Sequence, residues 1–316
     1  MIKHCFICSA ARSGSTLLDM LLGGHPRAVS LGEFSFLGKA LALEQDCSCG
    51  APVTRCPAWT KIFEQIHRNR GIDLRRDAYA LRQWDTRAAT LIDKRQQTRL
   101  YLLGSKLRSL LCDVRYALPP GHALRLPLPP RLRQGVENAA YLYDTIAATW
   151  DKDLLVDSSK NVHKALAYYE RVPLSTRVIF LTRDGRGVYF SRRGSGFSRE
   201  LSMQAWQRYN ERALRLLHHR VAPEALLQLK YEDLVGDVPG TLARLCAFLG
   251  LPFDRAMLDL GSGERHLFNG NDTRFSRERG IQRDERWVSG LRDEELAYFI
   301  QRGAILNARL GYGEAP

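Results

Sequence analysis

Four short apolar segments lie along the chain, and each is followed by a polar turn. They cover residues 3–9, 153–156, 177–182 and 225–229. Apolar runs of this length are typical of buried strands. Segments with helical periodicity follow the first three turns, over residues 15–22, 162–171 and 187–193. This alternation predicts an α/β fold in which a parallel β-sheet is flanked by helices on both faces. Ligands of such sheets bind at the carboxyl ends of the strands.

The segment from about residue 37 to residue 150 has a different pattern. It is rich in Arg, Leu and Gln, mostly helical in period, and interrupted by prolines at 119–120 and 127–130. We interpret it as a helical insertion, placed as a lid, between the first two predicted strands. The chain is therefore expected to form a single domain over residues 1–316.

Charge is the strongest feature of the composition. The chain has 47 Lys and Arg residues, only nine of them lysine, against 34 Asp and Glu, which gives a net charge of +13. An arginine-rich chain favours an anionic partner, because the guanidinium fork matches phosphate and sulfate oxygens. The charge is spread along the chain without a basic arm, so we expect no nucleic-acid partner. The hydrophobic content of 45% excludes a disordered or collagen-like chain.

Location can be predicted from the apolar runs and the cysteines. No run approaches the roughly 18 apolar residues that a membrane span requires. The first apolar stretch, at residues 5–8, is too short for a secretion signal. Seven cysteines, an odd number, fit reduced thiols better than a disulfide framework. We therefore expect a cytoplasmic protein without a transmembrane segment.

The first turn carries the clearest chemical motif. Residues 9–16 read Ser-Ala-Ala-Arg-Ser-Gly-Ser-Thr between a strand and a helix. Such a turn directs backbone N–H groups and a helix N-terminus at one point, which suits an anion. The spacing is close to that of a nucleotide P-loop, but Ser15 stands where the P-loop lysine would be, and the cation comes earlier, at Arg12. The alternative is an ordinary strand–helix turn with serine caps.

This motif resembles the 5′-phosphosulfate loop of sulfotransferases, which transfer a sulfuryl group from 3′-phosphoadenosine 5′-phosphosulfate (PAPS). A second motif follows the third predicted strand, where residues 183–191 read Arg-Asp-Gly-Arg-Gly-Val-Tyr-Phe-Ser. It is similar to the 3′-phosphate motif of the same family. The resemblance extends to residues 230–234, and to residues 270–275 and 284–287, which look like the C-terminal loop of bacterial members. It implies a P-loop-NTPase-like sulfotransferase fold.

The resemblance also implies which residues bind the donor. The 5′ end would be bound by Ser13, Gly14, Ser15 and Thr16, and the 3′-phosphate by Arg183 and Ser191. Arg274 is a weaker candidate for the 3′-phosphate or adenine side, and Ser158 and Ser159 would hydrogen-bond the phosphosulfate. Two alternatives assign these residues purely structural roles: a local Arg183–Asp184 ion pair, and a helix N-cap at Ser158 or Ser159.

Three residues are the catalytic candidates. Arg12 would stabilise charge on the leaving group, and Lys160 would contact the sulfuryl oxygens. Glu33 would deprotonate the acceptor hydroxyl, by resemblance to tyrosylprotein sulfotransferases and several bacterial members, which carry a glutamate after a similar His-Pro. Glu33 could otherwise be an ordinary loop carboxylate. His25 and His163 are the alternative bases, because cytosolic small-molecule sulfotransferases use a histidine.

Cys47, Cys49 and Cys56 form a compact group in the sequence. Three thiols are one ligand short of a structural zinc site. His67 could complete it, but the spacing is irregular, so a redox-active or merely packed loop is the favoured interpretation. The transfer itself requires no metal, and none is expected.

Two other functions remain open alongside the sulfotransferase. One is a P-loop-like nucleotide kinase or NTPase, and the other is a non-catalytic nucleotide-binding module. The acceptor is unidentified: a hydroxyl of a carbohydrate, lipid, phenol, peptide tyrosine or small metabolite would all serve. The sequence also leaves the oligomeric state open, with a homodimer as one candidate.

Overall fold

The computed structural model describes residues 3–84, 99–119, 126–260, 265–269, 275 and 280–313. Within these ranges five strands form one parallel sheet in the order β2-β3-β1-β4-β5. The strands are β1 (Lys3–Ser9), β2 (Ala28–Ser30), β3 (Leu154–Asp157), β4 (Thr176–Thr182) and β5 (Leu226–Lys230). The predicted α/β fold is confirmed. The sequence pattern missed β2, because three residues are too few to show a strand periodicity.

Helices cover both faces of the sheet. Those that directly follow the strands are α1 (Ser15–Gly23) after β1, α6 (Val162–Arg171) after β3, α7 (Gly185–Arg193) after β4 and α9 (Tyr231–Gly236) after β5. The first three were predicted to within two residues at each end. The remaining helices after β4 and β5 are α8 (Arg199–Arg220), α10 (Val238–Leu249), α11 (Arg286–Gly290) and α12 (Asp293–Arg309).

Each face of the sheet has its own apolar core. Phe6 and Cys8 of β1 belong to one cluster, and Cys5 and Ile7 belong to the other, with all four side chains at most 3% exposed. Alternate residues of a strand point to opposite faces, so a strand buried on both faces must be apolar throughout. This explains why the strands appear in the sequence as continuous apolar runs.

The described residues between β2 and β3 are mainly helical, as predicted. They form α2 (Leu37–Ala42), α3 (Pro57–Arg70), α4 (Arg99–Ala117) and α5 (Pro130–Trp150). Trp59 of α3 and Tyr143 of α5 are fully buried in the larger core. These helices are therefore packed onto the sheet domain, and their role as a lid stays a prediction. No helix in the described ranges is long and apolar enough to span a membrane.

Strand order determines where a ligand could bind. β1 lies at the centre; the chain leaves it toward β2 on one side, whereas it leaves β4 toward β5 on the other. The loops after β1 and β4 therefore diverge and leave a crevice at the carboxyl ends of the two strands.

Candidate functional site

Four loops lie in a row along the carboxyl edge of the sheet. The parallel registers pair Ser30 with Val156, Phe6 with Asp157 and Ser9 with Leu181, so β2, β3, β1 and β4 end at the same edge. In that order, the loops carry Glu33, Lys160, Arg12 and Arg183. Strands in a sheet are about 4.8 Å apart, so the row from β2 to β4 spans roughly 14 Å.

The loop after β1 has the backbone of an anion-binding turn. Gly14 has φ 87° and precedes α1, whose first turn has no acidic residue. A Cβ on Gly14 would lie 2.5 Å from Cδ2 of Tyr231, so the position requires glycine both for its φ and for its close contact with this ring. Ser13 and Ser15 are buried on either side of Gly14. Ser15 and Thr16 begin the helix, so the loop and the helix N-terminus present their N–H groups together.

Arg183 connects the loops after β1 and β4. Its Nη1 donates to the Arg12 carbonyl oxygen at 3.1 Å, and its Nη2 lies 3.1 Å from Asp284 Oδ2. The guanidinium lies over the Tyr231 ring, 4.6 Å from its centroid. Hydrogen bonds from Arg286 and from Arg183 hold the pKa of the Asp284 carboxyl well below its ordinary value, so this partner is ionised.

Asp184 does not pair with Arg183. It is the N-cap of α7 and forms a bidentate ion pair with Arg186, with Nη2 and Oδ2 2.6 Å apart. The local Arg183–Asp184 pair considered from the sequence is therefore wrong, because the cap turns the Asp184 carboxylate toward the first turn of the helix. Ser191 lies in the last turns of α7, half-buried.

Two further arginines stand at this crevice. Arg12 is exposed, and its Nη2 donates to the Ser195 hydroxyl at 2.8 Å. Arg192 is the residue after Ser191, and its buried Nε has no hydrogen-bond partner. Burial and the nearby positive charge of Arg12 lower the pKa of Arg192. Two cations held side by side favour an anion between them. Nothing in the sequence distinguished Arg192 from the other arginines.

Glu33 and Lys160 form an ion pair at the other end of the row. Lys160 Nζ donates to Glu33 Oε1, and Asn269 Nδ2 donates to Glu33 Oε2 at 2.9 Å. The Glu33 and Lys160 side chains keep 18% and 19% of their surface exposed, so both reach solvent. The sequence missed Asn269, although it immediately precedes the C-terminal motif at residues 270–275.

Backbone strain is concentrated at these positions. Five non-glycine residues in the described part of the chain have positive φ, and three of them are Arg12 (73°), Lys160 (59°) and Asn269 (55°). Such conformations cost about 1–3 kcal/mol each and persist where the surrounding structure imposes them, commonly at functional sites. The three strained residues are those that carry or hold the candidate catalytic groups.

The two serines after β3 connect to the Glu33 loop. The Ser159 hydroxyl accepts from the Ser35 N–H at 2.9 Å, and the Ser158 N–H donates to the Gly32 carbonyl oxygen at 2.9 Å. Neither serine caps a helix, because Asn161 is the N-cap of α6. The N-cap alternative considered from the sequence is therefore wrong.

A buried polar network supports the Glu33 loop from below. Lys164 is 1% exposed, and its Nζ donates to Asp157 Oδ2 at 2.6 Å, to Gln83 at 2.9 Å and to the Ser35 hydroxyl at 3.1 Å. Tyr143 also donates to Asp157 Oδ2, at 2.5 Å. Burial lowers the pKa of Lys164, and the Asp157 carboxylate opposes that shift. Nothing in the sequence indicated this network.

The two alternative bases are engaged elsewhere. Nδ1 of His25 accepts from the Arg27 N–H, so its Nε2 donates to the Pro252 carbonyl oxygen at 3.0 Å. Nε2 of His163 lies 3.0 Å from Asp113 Oδ1, and Arg212 binds the same carboxylate. Both residues are buried, although His163 also lines the cavity that begins at Lys160. Arg274 lies outside the described residues.

The cysteine group gains a fourth partner that the sequence did not indicate. Nδ1 of His266 lies 3.3 Å from the Cys56 sulfur and 3.7 Å from the Cys47 sulfur, and Cys49 is 3.6 Å from Cys56. His67, which the sequence offered as a possible fourth ligand, is not part of the group. His67 stands in the last turn of α3, whereas His266 comes from a segment 210 residues after Cys56.

Comparisons with known proteins support the fold. No curated protein sequence matches the chain. Two solved structures align with the whole chain. One is a sulfotransferase domain from the Synechococcus PCC 7002 olefin synthase, with 21% identity and a TM-score of 0.54, and the alignment covers 96% of that domain. The other is a sulfotransferase domain from the curacin biosynthetic pathway, with 20% identity and a TM-score of 0.50, and the alignment covers 99% of that domain. The sequence profile described as "Sulfotransferase family" matches residues 5–255. The chain, which shares the P-loop-like fold of these domains, therefore belongs to the sulfotransferase family.

Proposed function

We propose that the protein transfers the sulfuryl group of PAPS to a hydroxyl of an acceptor by in-line displacement. The observation that carries this proposal is the order of the four loops. A base, an ammonium group, an anion-binding turn and a second arginine site follow one another along the sheet edge, in the order in which the reacting groups would lie. PAPS has two separate anionic ends, and two separate cationic sites suit it.

The donor would lie along the loops after β1 and β4. The turn over residues 12–16 would bind the 5′-phosphosulfate through N–H groups and hydroxyls. Arg183 and Ser191 would bind the 3′-phosphate, and Arg192 joins them as a candidate because its Nε has no partner. Arg183 is already fixed between the Arg12 carbonyl oxygen and Asp284, so little side-chain entropy would be lost on binding. For Arg274 the proposed role rests on the sequence alone.

Glu33 would accept the proton of the acceptor hydroxyl while the oxygen of that hydroxyl forms a bond to sulfur. The bond from sulfur to the bridging phosphate oxygen breaks, and adenosine 3′,5′-bisphosphate leaves. An ammonium group has three donors, so Lys160 can stay bonded to Glu33 and still donate to a sulfuryl oxygen. Arg12 would stabilise the charge on the leaving oxygen electrostatically, since a guanidinium does not give up its proton near neutrality. Ser159, and Ser158 beside it, would hold the Glu33 loop and direct hydroxyls at the donor.

The acceptor would enter through a cavity that begins at Lys160. This cavity of about 340 Å³ is bounded by α4, the start of α6 and α8. Lys106 and Arg108 are on its wall, and so are Arg212 and His163, which both bind Asp113. Because the described lining residues include these basic groups and no carboxylate, we propose an acceptor that carries a negative charge besides its hydroxyl. The residue range 37–150 thus supplies much of the acceptor wall.

Titration calorimetry of the whole chain tests the donor assignment. We expect adenosine 3′,5′-bisphosphate to bind without added metal, and adenosine 5′-monophosphate to bind at least about tenfold more weakly, because one charged contact is worth about 1.5–3 kcal/mol. Binding of ATP only, and only with magnesium, would indicate a kinase or NTPase and overturn the proposal. Nucleotide binding without sulfuryl transfer to any of a broad panel of anionic hydroxyl compounds would indicate a non-catalytic module.

A further inference from the structure

Cys47, Cys49, Cys56 and His266 form a cluster whose side chains are not among the groups that take part in the proposed reaction. Its three sulfurs and the Nδ1 nitrogen all lie within 4.8 Å of one another. Cys47 and Cys56 are buried, whereas Cys49 is exposed. Buried thiols arranged around one imidazole nitrogen need a reason beyond packing.

Three of the six separations among these atoms are close to those of a tetrahedral zinc site. With Zn–S of about 2.3 Å and Zn–N of about 2.0–2.1 Å, tetrahedral geometry places two sulfurs about 3.8 Å apart and a sulfur and a nitrogen about 3.6 Å apart. The contacts here are 3.6 Å for Cys49–Cys56, and 3.3 and 3.7 Å from His266 to Cys56 and Cys47. A disulfide would bring two sulfurs to about 2.05 Å, and all seven cysteines are free.

The backbone around the thiols also fits a metal site. Cys47 and Cys49 lie in a tight turn in which the Gly50 N–H donates to the Cys47 carbonyl oxygen at 2.8 Å. Gly50 has φ 91°, a conformation that glycine adopts without strain. Cys56 is the N-cap of α3, followed by Pro57. The turn and the helix start therefore hold the three sulfurs on one side of a common centre before any ion binds.

We propose that Cys47, Cys49, Cys56 and His266 bind one Zn²⁺ ion. All four positions are protein ligands, so the site is closed and the ion is structural, with no open position for catalysis. This site is independent of the donor assignment.

The consequence of the site is long-range. The bound ion would fix residues 265–269 to the turn over residues 46–52. Two hydrogen bonds reinforce this connection. The Leu267 N–H donates to the Ser48 hydroxyl at 2.9 Å, and Trp59 Nε1 donates to the His266 carbonyl oxygen at 2.8 Å. Asn269, three residues after His266, donates to Glu33. The ion would thus hold the segment that orients the candidate base.

The metal content of the full chain, purified without chelators, tests the proposal directly. We expect one zinc per chain by inductively coupled plasma mass spectrometry. Cys49→Ser and His266→Ala should lose it. Cys49 is the better variant, because its exposed side chain makes a folding failure least expected. The matched controls His67→Ala and Cys112→Ala should keep one zinc per chain.

A second measurement does not depend on any variant. Replacement of the metal by Co²⁺ should give sulfur-to-cobalt charge-transfer bands and the strong visible bands of tetrahedral cobalt, and removal by a chelator should lower the melting temperature. Metal-free protein with seven titratable thiols that fails to take up Zn²⁺ or Co²⁺ would overturn the proposal. A Cys49–Cys56 disulfide in the freshly purified chain, or zinc lost from His67→Ala and kept in His266→Ala, would overturn it as well. None of these readouts requires sulfuryl transfer.

Discussion

The two ends of the sheet edge are built on opposite principles. At the proposed donor end, Arg12 and Arg183 bond to a hydroxyl, two carbonyl oxygens and one carboxylate, and Arg192 has a buried Nε without a partner. At the base end, Glu33 has a partner on each carboxylate oxygen, Lys160 and Asn269. Below it, the buried charges of Asp157 and Lys164 neutralise each other. In the proposed reaction, the donor end would offer its remaining N–H groups to an anion, whereas the base end, where both carboxylate oxygens are already bonded, would only exchange a proton.

This difference predicts that substitutions at the base end change the rate and those at the donor end change affinity. The largest effect is expected for Glu33→Gln. The amide still accepts from Lys160 but takes no proton, and a positioned base contributes about 10²–10⁴-fold to the rate. We expect kcat for transfer from labelled PAPS to fall by that factor, with the affinity for adenosine 3′,5′-bisphosphate unchanged within about twofold.

Glu64→Gln on the exposed face of α3 is the control and should retain full activity. Equal loss of rate and of nucleotide affinity in Glu33→Gln would mean that Glu33 supports the fold of the crevice rather than the proton transfer.

The next largest effect is expected for Arg183→Ala. A charged hydrogen bond to the 3′-phosphate is worth about 1.5–3 kcal/mol, so the affinity for adenosine 3′,5′-bisphosphate should fall about 10- to 100-fold. Affinity for adenosine 5′-phosphosulfate, which has no 3′-phosphate, should change little. Calorimetry with both ligands measures the difference.

Arg177→Ala provides the matched control, because Arg177 lies near the amino end of β4, whereas Arg183 follows its carboxyl end. Within the described residues, Arg177 donates to the Leu174 and Thr176 carbonyl oxygens. If Arg183→Ala lowers the affinity for both ligands equally, Arg183 positions the Arg12 loop and does not bind the 3′-phosphate.

A smaller effect is expected for Arg192→Ala. Its Nε is unpartnered but the guanidinium also lies 4.5 Å from the centroid of Phe197, so part of its orientation comes from packing. We expect donor affinity to fall about tenfold, the equivalent of about 1.4 kcal/mol. Arg208 is exposed, and Arg208→Ala should leave donor affinity unchanged. If Arg192→Ala and Arg208→Ala lowered donor affinity equally, the overall positive charge, and not a specific contact, would attract the donor.

The fold was predictable because its signals are local. Buried strands appear as apolar runs, and the turns that follow β1 and β4 have to carry Gly14 and Asp184 for reasons of backbone geometry within a few residues. Arg12, Arg183 and Lys160 could be located for the same reason, since each follows a strand directly. β2 was missed because its pairing with β3, not its three-residue sequence, makes it a strand.

The rest of the site depends on contacts between distant segments. Asn269 reaches Glu33 across 236 residues, and His266 reaches Cys56 across 210. Sequence spacing carries no information on such pairs, which is why His67 was considered as a fourth ligand and His266 was not. Nothing in the sequence distinguishes Lys164 from the other lysines, and only its packing against Asp157 makes it a buried support of the Glu33 loop.

The two ends of the sheet edge are also joined directly, through Asp19 of α1 and Ser30 of β2. The Ser30 hydroxyl donates to Asp19 Oδ2, and Asp19 is 1% exposed. Burial raises the pKa of Asp19 to about 7, with the Ser30 hydrogen bond acting in the opposite direction. Between about pH 4 and pH 7 the unfolded chain therefore releases this proton while the folded chain keeps it. Asp19 thus lowers the stability of the fold as pH rises through that window.

Asp19→Asn should have the smallest effect on activity and a distinct effect on pH dependence. The amide oxygen of the variant side chain would still accept from Ser30, but the amide has no ionisable proton. From pH 5 to pH 8 the free energy of unfolding of the variant should therefore fall by about 2 kcal/mol less than that of the wild type. Urea unfolding at the two pH values measures this, with Glu64→Gln as the exposed carboxylate control. His4, whose pKa burial lowers to about 4, acts in the opposite direction but equally in all three proteins. Identical pH profiles for Asp19→Asn and the wild type would mean that Asp19 is ionised in the folded state. The Ser30–Asp19 hydrogen bond that connects the donor and base ends would then have a charged acceptor rather than a neutral one.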